Sequence, residues 1–136
     1  MTTELFWLTL SALLTGSLWI PFIIGVTGEN EDFTDFTRPP DLSRMRPWVH
    51  RTYRAHQNAI ETFIPFASVV LIAHVAEVSN GLTVASTIAF FLIRVAHALG
   101  MISGTAKFPI RPIIFTASYL CTLLVAANLL YVYVIS

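Results

Sequence analysis

Between Ala59 and Val78 the chain reads AIETFIPFASVVLIAHVAEV. About 20 mostly apolar residues are what a helix needs to cross roughly 30 Å of hydrocarbon, and this stretch has that length and character. Three more stretches match it: Leu5 to Val26 (LFWLTLSALLTGSLWIPFIIGV), Leu82 to Ile102 (LTVASTIAFFLIRVAHALGMI) and Ile113 to Ile135 (IIFTASYLCTLLVAANLLYVYVI). Lipid offers no hydrogen-bond partner to open backbone groups, so segments of this length cross as helices. The dyad alternation of barrel strands is absent. The expected fold is an all-α membrane protein, a four-transmembrane-helix antiparallel bundle. It forms one domain over residues 1–136, with spans at about 5–26, 59–78, 82–102 and 113–135.

Composition agrees with the patterning. Of 136 residues, 55% are apolar and only 12% are charged, against roughly 25% charged in a typical soluble domain. Eight Lys and Arg balance eight Asp and Glu, so no global field draws the chain to nucleic acid. A single cysteine, Cys121, excludes an internal disulfide framework and a Cys-based zinc site. The first apolar stretch is expected to remain a span. MTTE before it lacks the positive charge of a signal peptide, and the apolar run exceeds the usual h-region.

The charges mark the two sides of the bilayer. Arg38, Arg44, Arg46, Arg51, Arg54, Lys107 and Arg111 lie in or beside the connections at about 27–50 and 103–112. The turn Ser79-Asn80-Gly81 and both termini have no Lys or Arg. The positive-inside rule makes the basic side cytoplasmic. The termini are then expected in the periplasm of a bacterial inner membrane. The first connection opens acidic (Glu29, Glu31, Asp32, Asp35), turns basic and Pro-rich, and ends at Pro47, which suits a helical first turn. The second helix is thus expected to begin near Trp48, outside the membrane.

Ionisable residues within spans point to function by default. On a wheel of about 100° per residue, Arg51, Arg54, Asn58 and Glu61 fall within about 80° of one another, and Pro65 and Ser68 continue the stripe. Pro65 has no N–H for the Glu61 carbonyl, so a kink is expected there. On the third helix Arg94 and His97 share a face that continues to Met101. One expectation is a buried Arg94–Glu61 ion pair that orders the bundle. The other is a pocket for a small zwitterion with carboxylates. Arginines would hold the carboxylates in bidentate forks, and Glu61 would take an ammonium.

The remaining candidates suggest less. His50, His56, His74 and His97 show no i, i+4 pairing, and no metal site is expected. His74 and Glu77 suit interfacial or interhelical contacts. Cys121, Ala12, Gly16 and Ala117 are expected at helix contacts, and Trp7, Trp19, Trp48, Tyr131 and Tyr133 as interface anchors.

The string RAHQNAIETFIPF, Arg54 to Phe66, resembles the second-helix signature of the MAPEG family, membrane-associated proteins of eicosanoid and glutathione metabolism. RVAHALG, Arg94 to Gly100, with PIR at Pro109 to Arg111, resembles the third-helix region of the microsomal prostaglandin E synthase branch. The likeness is strong from Arg51 to about Phe115, and the chain looks like a divergent bacterial member. It implies a homotrimer with glutathione as co-substrate, bound between subunits near the cytoplasmic face. Residues matching Arg54, Asn58, Glu61 and His97 contact glutathione in that family. The match to Arg111 lies by the thiol, where a cation favours the nucleophilic thiolate. Arg51 and Arg94 join the expected binding set from the helix wheel. Met101, Pro112 and Phe115 stand where family members carry Tyr, Ser and Tyr, and the arginine often found near the end of the first helix is absent.

Two functions follow from the resemblance. One is a glutathione S-transferase or peroxidase acting on a lipophilic small molecule delivered by membrane lipids. The other is a non-catalytic lipid-binding or scaffold protein of the same fold.

Overall fold

The computed structural model describes residues 1–27, 37 and 41–135. Within them lie five α-helices: α1 (Thr3–Ser17), α2 (Trp19–Thr27), α3 (Pro47–Val75), α4 (Gly81–Ser103) and α5 (Ile110–Ile135). A short 3-10 turn at Leu42–Arg44 precedes α3. The described residues contain no strand. Four helical segments are long and apolar enough to cross a membrane: Thr3–Thr27, Pro47–Val75, Gly81–Ser103 and Ile110–Ile135. The protein is an all-helical four-span membrane bundle. The acidic run Glu29 to Asp35 and Arg38 lie outside the described residues.

The first span departs from the single expected helix. It breaks at Leu18, between α1 and α2. Pro21 explains the break. Its nitrogen cannot donate to the carbonyl of Ser17 four residues earlier, and its ring crowds that carbonyl. The second span starts where Pro47 sets it, with the proline in the first turn of α3. Twenty-nine residues make a helix about 43 Å long, more than the hydrocarbon needs. The excess carries Arg51 and Arg54 on its first two turns. Helix α3 continues through Pro65, which leaves the Glu61 carbonyl without its usual helical partner.

The turn into α4 is built by Asn80. Its side chain accepts from the amides of Leu82 and Thr83 at 3.0 and 3.2 Å, while Thr83 Oγ1 accepts from the Asn80 amide at 3.0 Å. Two orphan amide ends of the helix are satisfied reciprocally. At the far end α4 stops on Gly104, whose φ of 80° is left-handed and suits glycine. Helix α5 then begins at Ile110, earlier than expected. Arg111 and Pro112 therefore occupy its first turn and not a loop.

Alongside α3, which packs on α1, α2, α4 and α5, helix α4 packs on α1, α3 and α5. Its buried residues are Thr83, Ser86, Thr87, Phe90, Arg94, His97, Ala98 and Met101, one stripe at the 3.6-residue period. The matching stripe of α3 is Val49, Thr52, Ala55, Ala59, Thr62, Phe66, Val70 and Ala73. Small residues predominate there and let the backbones approach. Phe66 and Phe90 stack face to face, centroids 3.7 Å apart, within a cluster that includes Leu8, Val70, Cys121 and Val125. Cys121 is buried as expected. Ala12 and Gly16 instead face outward, because the buried positions of α1 are Glu4, Leu8 and Ser11.

Helices α2 and α3 cross most tightly at Gly25. A Cβ there would sit 2.6 Å from Val49 Cγ2 and 2.9 Å from the Trp48 ring, whereas nothing lies within 4 Å of one at Gly16. Gly25→Ala is expected to destabilise the bundle by about 1–3 kcal/mol through overpacking. Gly16→Ala should cause no loss, since alanine is the better helix former. Thermal unfolding of the two variants in detergent checks the contrast.

Candidate functional site

The phase of the α4 stripe carries Arg94 and His97 into the bundle. Arg94 is 4% exposed and His97 0%. Arg94 donates from Nη2 to Asn58 Oδ1 on α3 at 3.0 Å. Its Nη1 and both ring nitrogens of His97 are buried with no hydrogen-bond partner among the described residues. Buried polar groups are nearly always satisfied, and three unused ones within one turn mark this end of α4 as unusual. Met101 continues the same buried face, as the spacing predicted.

Arg111 lies half-buried in the first turn of α5. The charges of Arg94 and Arg111 both act on the His97 ring. The fold thus groups Asn58 on α3, Arg94 and His97 on α4, and Arg111 on α5. Arg51 serves the same end differently. Its Nε donates to the Ile102 carbonyl at 3.1 Å, and its guanidinium lies against Gly104, 3.2 Å from where a Cβ would stand. A cation at a helix C-terminus satisfies orphan carbonyls and complements the dipole. One face of Arg51, expected to bind ligand, is therefore engaged in closing α4.

The expected Arg94–Glu61 ion pair does not form. Glu61 is exposed, as is Arg54, and Asn58 takes the bond from Arg94. The reason is rotational. The inward stripe of α3 runs through Ala55, Ala59 and Thr62, so Arg54, Glu61, Pro65 and Ser68 fall on its outer side, all exposed. Asn58 sits on the boundary, half-buried. The outer side of α3 thus presents a guanidinium, a carboxylate and a hydroxyl in one row, beside an inward group of two more guanidiniums and an imidazole. A row of donors with one acceptor can hold a small molecule bearing carboxylates and an ammonium.

The opposite end of the bundle holds a polar cluster that the sequence did not flag. Glu4 is buried and accepts from Ser79 Oγ at 2.6 Å and Thr83 Oγ1 at 2.8 Å. Asn80 donates to Asn128 Oδ1 at 3.2 Å. These bonds tie α1, the α3–α4 turn, α4 and α5 together. Glu4 looked like a terminal flank. The signal available was an acid in a first helical turn just after Thr2, whose side chain caps α1.

A four-span membrane bundle with an arginine-rich polar site at one end is the class that these observations define. The sequence model of the MAPEG family matches residues 5–131. The chain belongs to that family, which places it among membrane proteins of glutathione and eicosanoid metabolism. No curated protein matches it.

Because Glu61 is outside the bundle core, Glu61→Gln is expected to leave the melting temperature of the detergent-solubilised protein within about 2 °C of the parent, as surface substitutions usually do. A structural ion pair would instead make the same substitution strongly destabilising. Differential scanning calorimetry separates the two outcomes.

Proposed function

We propose that this MAPEG protein is a glutathione-dependent transferase or peroxidase acting on lipophilic electrophiles. It works as a homotrimer, with glutathione between neighbouring subunits at the basic end. The observation that carries the proposal is the exposed row Arg54, Glu61, Pro65 and Ser68 on a spanning helix. A carboxylate facing hydrocarbon is costly. Against a second subunit and a polar tripeptide the same row is well matched.

In this reading Arg54 and Asn58 hold carboxylate or carbonyl groups, and Glu61 takes the ammonium of the tripeptide. Arg51 lends its unused face, and Arg94 and His97 back the site from inside the bundle. Arg111 stabilises the glutathione thiolate, the nucleophilic form. The thiolate attacks carbon of the electrophile, or an oxygen of a hydroperoxide. In the second case an S–O bond forms, the O–O bond breaks and the alcohol leaves, and a second glutathione converts the sulfenic acid to disulfide and water. With a chlorodinitroarene, a C–S bond forms, chloride leaves and the thiol proton passes to solvent. A shallow apolar groove lined by Pro112, Ile113, Thr116, Ala117 and Leu120 begins beside Arg111 on the outside of α5. It offers the lipophilic substrate a way in from the lipid. The basic end faces the cytoplasm, where glutathione is made, and the termini face the periplasm of a bacterial inner membrane.

A second reading rests on lost hydroxyls. Met101 is buried and apolar, and Pro112 and Phe115 are exposed without a group to bond a thiol. On that account the protein is a lipid-binding scaffold of the family.

Reconstituted protein is expected to conjugate glutathione to the chlorodinitroarene. Arg111→Ala should lower the rate by at least about 100-fold, the scale for removing one charge-stabilising donor. Activity that persists in this variant overturns the role of Arg111. Calorimetry showing no glutathione binding at millimolar concentration, with the trimer intact by analytical ultracentrifugation, favours the scaffold.

A further inference from the structure

Arg94 donates to Asn58 Oδ1 at 3.0 Å, and the chemistry of the two groups fixes which way the amide points. Guanidinium has donors only, so the atom of Asn58 that faces it must be the carbonyl oxygen. The amide nitrogen, with two N–H groups, then lies on the other branch of the side chain. Arg94 is 96% enclosed by its 4% exposure, whereas Asn58 is half-buried and shares the helix stripe of exposed Arg54 and Glu61.

We infer that Arg94 is a positioning and specificity-determining residue: it locks the Asn58 amide so that the site presents an N–H donor to its ligand at this position. It does not touch ligand itself. The consequence for the ligand class is definite. The group opposite Asn58 is an acceptor, a carboxylate or a peptide carbonyl, and an ammonium or amide N–H there is rejected. Glu61, an acceptor three residues on, takes the ammonium. A molecule with an acceptor and an ammonium a helical turn apart is selected over one with the two reversed.

Burial makes the lock one-sided. Arg94 Nη1 already lacks a partner. Turning the Asn58 amide over would set N–H against N–H and leave a second buried donor of Arg94 unused. An unmade buried hydrogen bond costs more than a made one contributes. Among the described residues no other side chain accepts a hydrogen bond from Arg94, so nothing compensates for the flip. The cationic charge is not what Asn58 needs. The need is for a donor of this reach, and lysine supplies one while methionine does not.

The ligand side of this inference rests on the glutathione reading above, and the orientation of the amide does not. NMR of the full chain in detergent, with asparagine side chains labelled and Asn58 assigned by its loss in Asn58→Ala, reads the orientation with no ligand present. The wild type and Arg94→Lys are expected to show an Asn58 amide fixed about its Cβ–Cγ bond, with a high side-chain 15N order parameter, and Arg94→Met one averaged over that rotation. An averaged amide in the wild type, or one unchanged in Arg94→Met, overturns the proposal. Arg94→Met is expected to fold, because the partner it leaves, Asn58, is uncharged and half-buried, so no buried charge is stranded. Should it not, the wild-type amide and its comparison with Arg94→Lys still decide.

Calorimetry with glutathione reads the consequence. Arg94→Met should bind about tenfold more weakly, the scale of one net hydrogen bond to a charged group, and Arg94→Lys should recover most of the loss. In an Asn58→Ala background Arg94→Met should cost nothing further. An equal loss with and without Asn58 overturns the proposal, since Arg94 would then act by itself. If the wild type binds no glutathione, the glutathione reading falls, and the amide signal decides the role of Arg94.

Discussion

A guanidinium held inside an apolar bundle is the constraint around which this protein is arranged. Arg94 lies on the inward stripe of α4, which packs on α1, α3 and α5. A buried charge is tolerated only where hydrogen bonds meet it. Asn58 meets it from α3, because packing leaves that residue on the boundary of the inward stripe. Once α3 is set with Ala55, Ala59 and Thr62 inward, Arg54 and Glu61 have no choice but the outer side. The position of the polar row is therefore a consequence of how the core packs.

The same logic divides the molecule into two unlike ends. At the basic end the side chains are long, and several of their polar atoms are unused: Arg94 Nη1 and both nitrogens of His97. At the other end Glu4 is held by Ser79 and Thr83 and Asn80 closes the α4 N-terminus, although Ser86 Oγ and Asn128 Nδ2 are buried without a partner there too. Satisfied networks rigidify a fold, and the basic end differs in gathering three unused groups within one helical turn. Between the two ends the stacked pair Phe66 and Phe90 fills the middle of the bundle.

Much of this was legible in the sequence because lipid allows so few backbone solutions. Four apolar runs of bilayer length can only be helices, and Pro47, Asn80 and Gly104 punctuate them by their own stereochemistry. Pro21 carries the same kind of signal for the break at Leu18, but it lies within an apolar run long enough to read as one span. Arg94, His97 and Met101 share a face in the sequence and in the structure, because helical periodicity is a local property. The pairing of Arg94 was not legible. Charge suggested Glu61, but the choice between Glu61 and Asn58 turns on the rotation of α3 by less than one residue's step.

The residues by themselves determined the class of molecule, its four crossings, its uneven charge and the family motif from Arg54 to Phe66. Each of these follows from composition, length or a local period, and none needs a neighbour. Tertiary packing decided the rest. It buried Arg94 and His97, turned Glu61 outward, gave Arg51 to the end of α4 and drew Glu4 into the turn before α4. Those outcomes depend on which face of each helix the others cover. That choice is made by the fit of small residues such as Gly25, Ala55 and Ala59, whose side chains leave room and carry almost no chemical signal of their own.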